Sequence, residues 1–165
     1  MRYILLGLCV LAAACGKSPS APTSPSSSVA EAGVTAATGG SELSVRGTLE
    51  ASETEDGALH HLVGTGEATH LGRFTLASDF TVNSTTASAV GTATWTAANG
   101  DEIFTTTIGQ AVITFPMAAI TETSTITGGT GRFADASGSF VMQRSLSLLT
   151  LTSSGSITGT ISLGH

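Results

Sequence analysis

The sequence predicts an all-β chain, folded as a single closed antiparallel β-barrel of about eight strands. Three observations carry this expectation. Beyond residue 41, apolar and hydroxyl side chains alternate with a period of two. Turns containing glycine or Asn-Gly separate the alternating runs at even spacing. No segment of useful length repeats its apolar residues with the helical period. The 165 residues suffice for one domain plus targeting segments.

The first element is an address. Met1-Arg2 is a positive start, Tyr3–Leu11 a short apolar run, and Ala12-Ala13-Ala14 a set of small residues before Cys15. This is the pattern of a secretory signal. About nine apolar residues are too few to span a bilayer, which takes roughly 20. Small residues ending on a cysteine resemble the lipobox of bacterial lipoproteins, although Ala12 stands where Leu is usual and Leu11 lies one place further back. The reading is a signal over residues 1–14 and a diacylglycerol thioether on Cys15. The plainer alternative is a secreted protein cut nearby; Cys9 leaves too little apolar core before it to be the acceptor. A lipidated Cys15 leaves the mature chain without a free thiol, which removes thiolate catalysis, thiolate metal ligation and disulfides. Several acyl chains anchor stably where one does not. The expected location is the cell envelope, at the outer membrane of a Gram-negative host because Gly16 rather than Asp follows the cysteine.

Residues 15–40 read as the lipidated cysteine and a tether. Pro19, Pro22 and Pro25 lie among serines and alanines, with almost nothing to bury. The barrel domain is expected over residues 41–165. Its strands are expected over Leu43–Ser52, His60–Thr69, a region from Phe74 to Val82 interrupted near Ser78-Asp79, a strand holding Thr92–Ala97, Glu102–Ile108, Ala118–Thr127, Ser139–Leu151 and Ser156–Gly164. Asn99-Gly100-Asp101 suits a tight hairpin. Leu148-Leu149 breaks the alternation of the seventh strand and suggests a bulge there. Gly47, Gly64, Gly66, Gly91, Gly155 and Gly159 suit the coiling of a barrel wall. A transmembrane barrel is disfavoured: only 5% of the residues are aromatic, too few for two interfacial girdles. No terminal aromatic follows Gly164 either.

Charge excludes further classes. Only 11% of residues are charged, against roughly 25% in ordinary domains. The net charge of −6 gives no basic surface for nucleic acid. No metal site or cofactor is expected: the acidic run Glu50, Glu53, Glu55, Asp56 leads into a Gly57 turn without a regular calcium-loop pattern. Gly128-Gly129-Thr130-Gly131-Arg132-Phe133 lacks the Lys-Ser/Thr of a phosphate loop and reads as a tight reversal. Phe133 would then plug one end, with Arg132 pointing outward or pairing with Asp135.

Three patches together carry a family resemblance: Gly66–Phe74, Ala98–Ile103 and, most specific, Ile126–Ser139. They resemble bacterial secreted proteins of unassigned function, whose barrels are similar to those of plant allene oxide cyclases and dirigent proteins. The resemblance spans about residues 43–163. It implies an eight-stranded antiparallel barrel able to hold an apolar molecule, often in a homo-oligomer. It transfers no catalytic set, because the cyclase and dirigent motifs have no matching positions here.

The candidate residues follow from scarcity. His60 and His61 are adjacent, so on a strand they point to opposite faces and cannot share a metal; both read as exposed. His70 lies in the first of the three family-like patches, three residues before Arg73. It reads either as a hydrogen-bonded rim histidine or as a general base. Arg144, between Met142 and Leu146, would lie inside the barrel opposite Glu67, Glu102 or Glu122. Such a pair either holds the fold together or anchors the polar end of a ligand. The catalytic candidates are His70, Arg144 and Glu122, and the ligand-binding candidates His70, Arg73, Trp95 and Arg144. The expected function is non-enzymatic binding of a small apolar or amphipathic molecule by a lipid-anchored barrel. The alternatives are an isomerase or cyclase of the allene oxide cyclase type and a purely structural surface module.

Overall fold

A computed structural model describes residues 41–164. Cys9, Cys15, the signal and the tether expectations lie outside the described residues. Eight strands run in chain order: β1 (Glu42–Asp56), β2 (Leu59–Ala68), β3 (Gly72–Asn83), β4 (Ser88–Ala97), β5 (Glu102–Thr114), β6 (Met117–Gly129), β7 (Ser137–Ser147) and β8 (Thr152–Ser162). Each pairs antiparallel with its neighbours, and β1 pairs with β8, so the sheet closes on itself. Closure leaves no strand edge unpaired.

The period of two decides what enters the lumen. Val45, Leu49 and Ala51 of β1 are buried; so are Phe74, Leu76 and Phe80 of β3, Ala93, Trp95 and Ala97 of β4, and Ile157 and Ile161 of β8. The intervening Thr, Ser and charged residues face outward on most strands. Gly66 shows why glycines line this wall. A Cβ there would strike the Phe74 ring and the Thr48 carbonyl oxygen, so the small residue makes room for a large one on the next strand.

Several strand bounds need correction: β1 runs past Ser52 to Asp56, β5 past Ile108 to Thr114, and β8 starts at Thr152 rather than Ser156. Two expectations also fail in kind. β3 runs unbroken through Ser78-Asp79. Ser78 keeps the inward phase because its hydroxyl donates to the Thr92 carbonyl across the sheet at 2.9 Å. β7 ends at Ser147, and Leu148-Leu149 belong to a turn rather than a bulge. The register shift lies elsewhere, between Phe104 and Thr105 opposite the end of β6. There Gly128 takes a φ of +148° and Thr127 donates to the Phe104 carbonyl at 3.2 Å.

The two barrel ends differ. At one end a short 3₁₀ turn, Gly131–Phe133, drives Phe133 into the lumen, where it is 0% exposed. Phe133 joins Ile103, Ile161 and Ala136 in the same apolar cluster and plugs this end as the glycine-rich motif suggests. Arg132 stays at the surface, over the Phe133 ring at 4.6 Å, and meets Asp101 rather than Asp135. Gly131 is required there: its φ is +54°, and a Cβ would collide with the Asp101 carboxylate. At the opposite end the inward positions, among them His60, Ala89, Gly109, Ala111 and Ile120, are only half-buried. That end is the more solvent-accessible of the two, and we call it the mouth.

Candidate functional site at the barrel mouth

Between the apolar half and the mouth lies a layer of polar side chains. Strand β7 carries Arg144 inward, β6 carries Glu122, β1 carries Glu53 and β8 carries Ser153, all buried. Their convergence follows from the register. Arg144 sits opposite Ile120 on β6 and Gly155 on β8, so its long side chain crosses a lumen left open by the glycine. Arg144 Nε donates to Glu122 Oε2 at 2.7 Å, and Nη2 donates to Glu122 Oε1 at 3.1 Å. This two-pronged geometry suits the planar guanidinium. Nη1 donates to Glu53 and, at 3.3 Å, to the Ser153 hydroxyl.

One cation thus stands between two carboxylates. Burial works against the charged guanidinium, but the hydrogen bonds and charge of Glu122, and then of Glu53, outweigh it. Arg144 is held above its already high ordinary pKa. Among the described residues no buried side-chain polar atom lacks a partner. Below the cluster a hydroxyl pair, Thr107 and Ser124 at 2.8 Å, continues the polar layer.

His60 reaches this cluster from the mouth. Its Nδ1 lies 3.4 Å from Glu53 Oε2, its ring packs on Phe80 at 5.3 Å, and its side chain is 14% exposed. It therefore connects solvent to the buried carboxylate. The expectation of two exposed histidines fails for His60 and holds for His61. The latter points outward and pairs with Asp79 at 2.6 Å.

The structure brings together two of the sequence candidates, Arg144 and Glu122. Glu67 and Glu102 do not partner Arg144. His70 is not with them either. It occupies the exposed β2–β3 turn, at the plugged end, with a φ of +67°. Arg73 is exposed and stands opposite Glu67 on the outer wall. Trp95 is buried between Phe74 and Phe140, with its indole N–H given to Thr105 at 3.2 Å. It belongs to the filled half of the lumen, away from the mouth.

Glu53 and His60 are the residues the sequence reading missed. A usable signal existed: Glu53 shares the phase of Val45, Leu49 and Ala51, and His60 that of Leu62. Following that phase through the hairpin places both side chains inside. Among the described residues no group of three or more His, Cys, Asp or Glu is arranged to hold a metal ion. The recesses beside Glu50, Thr65 and Thr75 lie on the outer wall and gather mainly hydroxyls.

No family model matches the chain, and no curated protein matches it by sequence. Among solved structures it is similar to GePTS1, a pterocarpan synthase dirigent protein, with a TM-score of 0.52. The match covers 75% of this chain and 92% of that one, at 10% identity. The fold is a dirigent-like barrel. At this identity the likeness concerns the path of the backbone, and the roles of the lumen residues rest on their own chemistry.

Proposed function

We propose that this dirigent-like barrel binds a small amphipathic molecule at its mouth, with the apolar part over Phe80, Ala89 and Ile120 and the polar part toward His60 and the Glu53–Arg144–Glu122 cluster. One observation carries the reading: Glu53, Glu122 and Arg144 are the only buried charged side chains among the described residues, and all three meet at one level of the lumen. Well-packed apolar residues in their place are often neutral or stabilising, so a buried charge triad is a poor way to gain stability. It is an effective way to orient a ligand, because convergent polar groups at the base of an apolar opening fix the direction of entry. The neighbouring protein is named for synthesis of pterocarpans, which accords with small-molecule chemistry in this barrel type. The role is non-enzymatic binding by a protein held at the cell envelope through acylated Cys15.

A second reading has its own observation. His60, partly exposed at the mouth, lies 3.4 Å from the buried Glu53, a histidine–carboxylate contact of the kind that proton transfer in an isomerase or cyclase uses. His60, and not His70, would carry that step.

The binding test uses dansylcadaverine, a fluorophore with an apolar body and a cationic amine head suited to a cluster of two carboxylates and one cation. Energy transfer from Trp95, the one tryptophan of the chain, reports its arrival. Saturable transfer that is lost in Ala89→Phe, a variant that fills the mouth without touching the charges, supports the reading. Transfer unchanged by Ala89→Phe overturns it and leaves the structural module. The anchor is tested by radioactive palmitate with and without Cys15→Ser; equal label in both overturns it.

A further inference from the structure

Val90 and Ile108, 61% and 63% exposed, face each other on the outer wall of β4 and β5, but four of the most exposed apolar residues gather at one place. Val112, Ile113, Phe115 and Leu149 are between 59% and 73% exposed, and all lie on the β5–β6 hairpin or the β7–β8 turn. The two segments are joined: the Leu148 N–H donates to the Pro116 carbonyl at 2.9 Å, and Met117 stands opposite Ser147. They form one protruding tip on the rim of the mouth. No charged residue occurs from Ile103 through Thr121 or from Ser145 through Gly164. The acidic residues of this end, Glu55 and Asp56, belong to the β1–β2 hairpin, which lies opposite the β5–β6 hairpin and next to the β7–β8 turn, where the Glu53 N–H donates to the Leu151 carbonyl at 2.8 Å.

We propose that this tip docks on a lipid surface, with Phe115, Ile113 and Leu149 entering the boundary between head groups and acyl chains. Its shape favours lipid over a second copy of the chain. A stable protein partner needs roughly 800 Å² per side over a matched face, whereas a narrow uncharged tip suits penetration of about 5–10 Å. The chain outside the structure permits the contact. Cys15 precedes β1 by about 26 residues, which can extend to about 90 Å. Strand β1, at 15 residues, covers about 50 Å. A barrel anchored at Cys15 can therefore bring its far end to the same membrane, although β1 begins at the plugged end. The inference rests on the anchor reading only for nearness to lipid. Its consequence is that the mouth opens toward the bilayer.

The test introduces an indole at the tip with Phe115→Trp, in the acylated full chain, in phosphatidylcholine vesicles with brominated acyl chains. Flotation reports the anchor and fluorescence reports the tip, so the two readings fail separately. The expected result is a blue-shifted emission of which about half is quenched by the bromines, with the quenching lost when Ile113→Ser and Leu149→Ser are added. Trp95 alone, in the unsubstituted chain, is the unquenched control. Protein that floats while the introduced indole keeps a water-exposed, unquenched emission overturns the proposal. A blue shift without bromine quenching also overturns it, because a second copy then covers the tip. If the protein does not float, the same measurement is made with vesicles in excess, and absence of quenching there has the same meaning.

Discussion

Arg144→Met removes one cation and leaves two carboxylates behind. The native guanidinium makes the bonds to Glu122 at 2.7 and 3.1 Å, a bond to Glu53 and one to Ser153 at 3.3 Å. The carboxylates deprived of the cation, Glu53 and Glu122, are only 2% and 5% exposed, so water cannot take over the lost bonds without opening the barrel, and Glu53 keeps only His60 at 3.4 Å. Breaking a buried pair from one side costs about 3–5 kcal/mol, which at a urea slope of about 2 kcal/mol per molar lowers the midpoint by about 2 M. The measurement is equilibrium urea unfolding followed by Trp95 emission and by far-ultraviolet circular dichroism. The decisive control is the triple variant Arg144→Met, Glu53→Leu, Glu122→Leu. With no charge left to strand, its stability should return to within about 1 kcal/mol of the parent, a midpoint within about 0.5 M, or exceed it. If Arg144→Met alone unfolds like the parent, the triad is not buried as described and the reasoning fails. A triple variant as unstable as the single one would mean that the cluster is structural, which weakens the case for a ligand.

Three further outcomes follow from the same geometry. Phe133→Ala opens the plugged end and should cost about 3–5 kcal/mol in urea unfolding, since the ring is fully buried. Gly66→Ala forces a methyl into the Phe74 ring and should lower stability by about 1–3 kcal/mol, seen as a lower Tm; an unchanged Tm would show that the wall has slack there. His60→Ala and His61→Ala should separate. His61 and Asp79 form an exposed pair, so its loss should shift stability by less than about 1 kcal/mol and leave dye binding alone. His60→Ala should change the dye affinity measured by titration.

Much of the barrel was legible because its strands obey a simple rule. Ala93, Trp95 and Ala97 against Thr92, Thr94 and Thr96 state a strand face without ambiguity, and Ile157, Gly159 and Ile161 do the same. The rule misleads where polarity and direction disagree. Ser78 looks like an interruption, yet it is an inward residue satisfied by a backbone carbonyl. Leu148-Leu149 looks like a strand changing face, yet it is a turn whose apolar side chain reaches solvent. Glu53 was the harder case. Amid Glu50, Glu55 and Asp56 its charge suggested water, but its phase belongs to the core, and only the arrival of Arg144 from β7 makes that burial tolerable. His70 drew attention through its neighbours in sequence. The carboxylate that meets a histidine is Glu53, at the other end of the β2–β3 pair, beside His60.

Seven of the eight strand pairings join neighbours in sequence, and the eighth joins β1 to β8. That last contact sets Glu42 beside Ser162. By chain entropy, closing about 120 residues costs about 2 kcal/mol more than closing a ten-residue hairpin. The barrel thus has a seam. A sheet of seven hairpins can form by local steps, but the lumen comes into being only when the seam zips, for both walls of it are needed to bury Arg144 against Glu53. The charged cluster and the mouth are accordingly properties of the finished ring, and a chain with its seam open has neither.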